Sequence, residues 1–293
     1  MMAWWVWVAC AVGDPELLVG FDAARTGEDG QDGTFGAARV ELSAPGRVSE
    51  VVPVDVIFPT EAVPGDQAPE PAVTDAPVVV LIHGGLVPPE RYWWLGSHFA
   101  SRGFVTVLPR AELDLAITQP GNGALALAAL RRQAERAGLL QDLVPAEGPV
   151  AVAGHSLGGV MAARQWVDDA SIDLLVLLAA FPAAGDDVES QAGRPVIGVS
   201  GTTDALLGPD EFVERLTERF SDAALWLVPG LNHFGWTDDA RPGELDRDGP
   251  LEGDRTALRE AALSVIDANL DVQLTGVDRD LAGPFPGAEA VMP

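Results

Sequence analysis

The chain has 293 residues, of which 47% are apolar, and this amount of apolar surface is sufficient to bury the core of a folded domain. It contains 44 acidic and 18 basic residues, a formal net charge of −26, and every basic residue is arginine. Such a charge repels a nucleic-acid backbone and excludes nucleic acid as a partner. The single cysteine, Cys10, excludes an internal disulfide and a cysteine-based metal cluster. The acidic, lysine-free composition fits adaptation to high salt and, equally, a GC-rich genome.

The first residues favour export over a membrane span. Residues 1–12 form an apolar run with three tryptophans, shorter than the roughly 20 residues that a spanning helix needs and similar to the core of a signal peptide. Residues 7–10 loosely resemble a bacterial lipobox, so we expect contact with a membrane only if Cys10 is lipidated. A misassigned start or a truncated signal explains the run equally well. Residues 13–37 are rich in glycine and aspartate and are predicted to be a flexible lead-in.

The pattern that follows is an alternation of strands and helices. Residues 51–58 are predicted as an early strand, and the proline-rich residues 60–77 as a loop, because proline is poorly tolerated inside central strands and helices. Short continuous apolar runs then alternate with helical segments, which predicts a mostly parallel sheet covered by helices. The predicted strands are residues 78–82, 105–108, 150–153, 174–179, 196–200 and 224–228, and the predicted helices are residues 92–101, 124–137, 157–168, 210–220 and 256–270.

One catalytic domain is predicted over residues 38–271, followed by an irregular C-terminal tail over residues 272–293. Residues 181–194 connect two strands by a short loop, so no large lid domain is expected and the cleft is predicted to be open. In sheets of this type ligands bind beyond the carboxyl ends of the strands, and motifs that carry chemistry should lie there.

The clearest such motif is the segment Gly-His-Ser-Leu-Gly-Gly at residues 154–159. It follows an apolar strand and opens a helix, which is the context that a G-x-S-x-G nucleophile elbow requires. Small residues two positions before and after Ser156 let strand and helix approach closely while Oγ stays exposed. Ser156 is therefore the predicted nucleophile.

A serine hydroxyl is a weak nucleophile at neutral pH and needs a base, a role that suits histidine. The chain has four histidines. In an elbow of this kind the chain order is serine, then an acid, then histidine. His83, His98 and His155 precede or adjoin Ser156, which leaves His233, on a loop after the strand 224–228, as the predicted base.

The acid that orients the histidine must lie between Ser156 and His233 and should follow a strand. Asp204 fits, because residues 201–203 separate it from the strand 196–200. The acids in the loop after the strand 174–179 also meet these conditions, and they remain alternatives: Asp186, Asp187 and Glu189.

Acyl transfer also needs hydrogen-bond donors for the oxygen that becomes negative. The loop after the strand 78–82 can supply one backbone N–H, and Leu157, directly after the nucleophile, can supply the other. Gly85 is the preferred donor in the loop, with Gly84 and Leu86 as alternatives.

These residues resemble the α/β-hydrolase superfamily, in particular the branch of cutinase-like polyester hydrolases, dienelactone-hydrolase-like proteins and platelet-activating-factor acetylhydrolase-like lipases. The resemblance covers about residues 51–270 and includes residues 82–85, 93–94 and 100–104. It implies an α/β-hydrolase fold and a cofactor-free serine hydrolase, usually exported, that cleaves carboxylic esters of small molecules, lipids or polyesters. An acyltransferase or peptidase with the same triad, and a non-catalytic binding protein on this fold, remain alternatives.

Two features qualify the resemblance. Dienelactone hydrolases have cysteine where Ser156 stands, and cutinase-like enzymes commonly have an aromatic residue where Gly85 stands, so cleavage of a polymer is in doubt. The predicted cleft residues are Leu86, Trp94 and Trp236. Residues 246–249 suggest a calcium loop, but hard cations need six to eight oxygen ligands, and no metal site is expected.

Overall fold

The computed structural model describes residues 12–13, 16–17, 35–46, 51–61, 69–111, 114–115 and 120–291. The predictions made for Cys10 and for most of the lead-in lie outside these residues. Among the described helices, none combines the length and the apolar character needed to cross a membrane.

The described strands form one ten-stranded sheet in the order β1-β2-β3-β5-β4-β6-β7-β8-β9-β10. Six neighbouring strands, from β5 to β9 in this order, run parallel, and the strands at both edges are antiparallel. The strands are β1 (Glu16–Leu17), β2 (Gly36–Pro45), β3 (Val51–Thr60), β4 (Val78–Ile82), β5 (Val105–Pro109), β6 (Val150–His155), β7 (Leu174–Leu178), β8 (Val196–Gly201), β9 (Ala224–Val228) and β10 (Glu289–Val291).

Helices cover both faces of the sheet. They are α1 (Trp93–Ser101), α2 (Asn122–Ala134), α3 (Leu157–Asp168), α4 (Pro209–Arg219), α5 (Pro242–Leu245) and α6 (Arg255–Leu270). Because side chains alternate along a strand, Val78 and Val80 pack into one core with α2, α3 and α4, whereas Val79 and Leu81 pack into a second core with α1 and α6. The central strands are buried on both faces, which explains their continuous apolar runs.

The predicted mostly parallel sheet flanked by helices is confirmed, and the predicted strands and helices are present with end points that differ by at most three residues. The strands β1, β2 and β10 were not predicted. They lie at or next to the edges of the sheet, where strands are antiparallel and include polar and exposed residues. Strand β10 lies in the segment predicted as an irregular tail and pairs with β9.

The topology brings distant segments to one edge of the sheet. Strands β4, β6, β7, β8 and β9 are consecutive neighbours and parallel, so the segments that follow them lie along the same edge. These segments contain the glycines after β4, Ser156 after β6, Asp204 after β8 and His233 after β9. A site at this edge would draw on all four loops.

Candidate active site

Ser156 lies in a sharp turn between β6 and α3, with φ 53° and ψ −125°. A positive φ is unfavourable for a residue with a side chain, and residues held in strained backbone conformations cluster at functional sites. Two glycines make the turn possible. A Cβ on Gly154 would lie 2.3 Å from the carbonyl oxygen of Gly158, and a Cβ on Gly158 would lie 2.2 Å from that of Ile82. The glycine spacing therefore follows from the contact between helix and strand.

His233 and Asp204 form a buried pair. His233 Nδ1 lies 2.8 Å from Asp204 Oδ2, and both side chains are almost fully buried. The other carboxylate oxygen, Oδ1, accepts hydrogen bonds from the backbone N–H groups of Leu206 (3.0 Å) and Leu207 (2.8 Å). A carboxylate held in this way keeps the proton of His233 on Nδ1 and leaves Nε2 free to accept one.

Ser156 and His233 line the same pocket, which has a volume of about 210 Å³. Within the described part of the chain, Ser156 Oγ makes no hydrogen bond to the ring of His233; such contacts are often long before a substrate binds. The rest of the pocket is mainly apolar: its lining includes Leu157, Val160, Ala180, Phe181, Leu206 and Leu207.

In the loop after β4, two of the three candidate backbone donors already make hydrogen bonds. The N–H of Gly84 donates to the hydroxyl of Tyr92 (2.9 Å), and the N–H of Leu86 donates to the carbonyl of Asp114 (2.7 Å). The structure therefore disfavours Gly84 and Leu86 as oxyanion donors. Gly85 lies against Leu157, since a Cβ on Gly85 would meet Leu157 Cδ1 at 2.5 Å. Gly85 and Leu157, the two residues predicted to supply the oxyanion donors, are therefore neighbours.

None of the three predicted cleft residues lines this pocket. Trp94 and Trp236 are 4% and 1% exposed and belong to the core, so the structure places them outside the cleft. The indole N–H of Trp94 donates to the carbonyl of Trp236 (3.1 Å), and the guanidinium of Arg259 stacks over the ring of Trp94 at 3.8 Å. Both tryptophans thus belong to the core under α1 and α6. Leu86 is 60% exposed but is not among the residues that line the pocket.

Two of the three competing acids have other partners. Asp186 pairs with Arg164 (2.8 Å) and accepts a hydrogen bond from its own loop, and Glu189 pairs with Arg219. Among the described contacts, no hydrogen bond or ion pair joins either acid, or Asp187, to His233. The geometry therefore favours Asp204.

Asp248 is a site residue that the sequence analysis missed. Its Oδ2 accepts a hydrogen bond from the N–H of Phe234 (2.8 Å), and its Oδ1 accepts one from Ala205 (3.3 Å). Asp248 thereby ties the residue after His233 to the residue after Asp204. Sequence spacing singled it out only as part of a calcium-like loop, and in the described residues no group of three acidic, histidine or cysteine side chains is arranged to hold a metal ion.

Two histidines near the site are held neutral. Burial lowers the pKa of His83 below its ordinary 6.5, and burial, together with the charge that His233 can carry, lowers the pKa of His155 further. Both side chains have no exposed surface. In the unfolded chain both histidines bind protons near pH 6.5, whereas in the folded chain they do so only at lower pH.

The free energy of unfolding is consequently expected to decrease as pH falls below about 6.5. The unfolded state then binds up to two more protons than the folded state, a slope of up to about 2.7 kcal/mol per pH unit. Carboxylates with lowered pKa values, such as Glu90 and Glu244, change the free energy of unfolding only near and below their ordinary pKa of about 4.5. Urea unfolding at pH 7.5, 6.5 and 5.5 measures this, and the His155→Asn variant should show about half the slope. A free energy that is constant from pH 7.5 to 5.5 contradicts the expectation.

The parallel sheet, the serine elbow and the histidine and aspartate at one sheet edge together define an α/β-hydrolase fold. Residues 78–258, more than half of the chain, match the family model described as the alpha/beta hydrolase family, and the chain belongs to this family. The superfamily resemblance drawn from the sequence is confirmed.

Comparison with solved structures adds a match in fold. A ferulic acid esterase from Streptomyces cinnamoneus superimposes with a TM-score of 0.62 over 96% of both chains, at 18% sequence identity. A search of curated proteins found no match. At this level of sequence identity, the structural match shows a similar fold and nothing further.

Proposed function

We propose that this protein is a serine hydrolase of carboxylic esters, with Ser156 as nucleophile, His233 as general base and Asp204 as the acid that orients it. The observation that carries the proposal is the 2.8 Å contact between His233 Nδ1 and Asp204 Oδ2, because His233 also lines the same pocket as the elbow serine. The fold and the family support a hydrolase.

The proposed reaction has two steps. His233 Nε2 takes the proton of Ser156 Oγ as Oγ attacks the ester carbonyl carbon, and the N–H groups of Gly85 and Leu157 stabilise the oxyanion. The intermediate collapses to an acyl-serine, and the protonated imidazole gives its proton to the departing alcohol. In the second step His233 deprotonates a water molecule that attacks the acyl carbon, and the acid leaves as Ser156 regains its proton.

The pocket favours a small apolar group. Its volume of about 210 Å³ lies below the roughly 300–1,000 Å³ of typical pockets for drug-sized ligands, so it fits a short acyl chain or a single aromatic ring. The solved structure with the similar fold is described as a ferulic acid esterase, which supports including an aromatic acyl group among the substrates tested. The charge of −26 favours neutral esters over anionic ones.

Hydrolysis of p-nitrophenyl acetate, butyrate and octanoate and of methyl ferulate, at low and high salt, tests the proposal. The Ser156→Ala variant is measured beside the wild type. We expect at least one of p-nitrophenyl acetate, p-nitrophenyl butyrate and methyl ferulate to be cleaved faster than p-nitrophenyl octanoate. All turnover should require Ser156. Labelling by a fluorophosphonate probe should likewise occur in the wild type and be absent in Ser156→Ala. Folded wild-type protein with no Ser156-dependent turnover or labelling would contradict the proposal, and product analysis with added alcohols or peptides separates hydrolysis from acyl transfer and peptide cleavage.

A further inference from the structure

A chain of three hydrogen bonds lies under the site and is not used in the proposed reaction. The N–H of Gly84 lies 2.9 Å from Tyr92 Oη, Tyr92 Oη lies 2.7 Å from His155 Nδ1, and His155 Nε2 lies 3.1 Å from the carbonyl oxygen of His233. The side chains of Tyr92 and His155 have no exposed surface. These three hydrogen bonds therefore connect the loop that contains the predicted oxyanion donor to the loop that contains the predicted base.

The direction of each hydrogen bond follows from its ends. A backbone N–H only donates, so Tyr92 Oη accepts from Gly84 and directs its own proton to His155 Nδ1. A carbonyl oxygen only accepts hydrogen bonds, so His155 Nε2 carries a hydrogen and donates it in the hydrogen bond to the backbone carbonyl oxygen of His233. Neutral His155 with its proton on Nε2 satisfies every bond, and burial, which lowers the pKa of His155, keeps the ring neutral.

We propose that His155 and Tyr92 are positioning residues, which hold the backbone donor of Gly85 and the ring of His233 in a fixed relation to Ser156. His155 directly precedes Ser156 in the elbow, so one imidazole ring connects the serine turn to both other loops. The fit is close: a Cβ on Gly84 would lie 2.9 Å from Tyr92 Oη and 3.0 Å from His155 Nδ1. The catalytic part of this inference rests on the proposed function.

The position of an oxyanion donor matters more in the transition state than in the substrate complex. Breaking these hydrogen bonds should therefore lower kcat while KM changes little. A displacement of about 1 Å costs up to about 10²-fold in rate, so we expect kcat to fall about 10- to 100-fold. A residue that only stabilises the fold would lower the melting temperature and leave kcat of the folded enzyme unchanged.

The test compares Tyr92→Phe, His155→Leu and His155→Asn. The first removes one hydroxyl and keeps the ring; the second removes both polar groups of the imidazole; the third keeps one acceptor and one donor. For each, kcat and KM for p-nitrophenyl butyrate and the Kd of 1-butaneboronic acid, which forms a tetrahedral adduct with an active serine, are measured below the melting temperature. We expect kcat and boronate affinity to fall together, and His155→Asn to retain more of both than His155→Leu.

Thr106→Val is the matched control. Thr106 is fully buried in β5, and its hydroxyl has no hydrogen-bond partner among the described residues, so this variant also removes a buried polar group without altering the site. It should keep the wild-type kcat and boronate affinity. If Tyr92→Phe and His155→Leu behave like this control, the positioning role is overturned.

A readout that does not need turnover separates this inference from the proposed function. The ¹⁵N spectra of the four histidines report tautomers, and Tyr92 is the only tyrosine of the chain, so 3-fluorotyrosine gives a single ¹⁹F resonance. In the wild type, the histidine whose ring signals are lost in His155→Asn should be neutral and protonated on Nε2, and Tyr92→Phe should shift the ring resonances of both His155 and His233. Unchanged His233 resonances overturn the coupling even in an active enzyme. If no ester is cleaved, the proposed function fails, while these spectra still decide whether the loops are coupled.

Discussion

Replacing His233 by alanine is expected to lower kcat by about 10⁶-fold, the loss found when the base of such a triad is removed. Neither His155 nor His98 can take over its role. Both ring nitrogens of His155 are occupied by hydrogen bonds, and His98 lies on α1, where it contacts Asp267. Steady-state hydrolysis of p-nitrophenyl butyrate measures the loss, and thermal unfolding establishes that the variant is folded. Free imidazole should restore part of the activity, because it can enter the space left by the ring.

His98→Gln is the control for this prediction. It also removes an imidazole that contacts a carboxylate, at 2.9 Å from Asp267, but on α1 and outside the pocket. We expect its kcat to stay close to that of the wild type. If His233→Ala retained more than about one part in a hundred of the wild-type kcat, the assignment of His233 as base would have to be abandoned.

The parts of the site that depend on local sequence could be predicted. The elbow around Ser156 requires small residues at 154 and 158 because strand and helix touch there, and this requirement is visible in the sequence. Asp204 and His233 follow strands of a parallel sheet, and parallel strands bring their carboxyl ends to one edge. Chain order and topology are enough to find them.

The cleft depended on side-chain direction, which position in the sequence does not determine. Trp236 is three residues from His233 in sequence, yet its ring is buried in the core and not in the pocket. Phe181 and Leu206, which do line the pocket, come from loops after β7 and β8 and share no motif. The conformations of such loops are set by tertiary contacts, so no local pattern indicates them.

The contacts that hold the loops of the site were also beyond sequence reasoning. The hydrogen bond between Tyr92 and His155 joins residues 63 positions apart, and that between His155 and His233 spans 78. Each depends on the tertiary arrangement of strands and loops. In the sequence, His155 stands at the variable position of the elbow motif, and nothing there shows that both its nitrogens are used.

Replacing Asp204 by asparagine is expected to lower kcat by about 10⁴-fold with little effect on the fold. The asparagine oxygen can still accept the N–H groups of Leu206 and Leu207, so the loop should stay in place. The amide N–H₂, however, then faces His233 Nδ1. It donates where the carboxylate accepted, so the proton of the ring moves to Nε2, and His233 can no longer take the proton of Ser156.

Asp248→Asn distinguishes this tautomer effect from a loosening of the loops. Asp248 is also an acid that accepts backbone hydrogen bonds at this corner, from Ala205 and Phe234, but among the described contacts it makes none to the ring of His233. Its asparagine variant should therefore lose no more than about 100-fold in kcat, since it affects position only. Equal losses in the two variants would show that loop position, and not the tautomer, is what Asp204 controls. A nearly unchanged kcat in Asp204→Asn would return the role of acid to Asp186 or Asp187, and would require the loop after β7 to move toward His233.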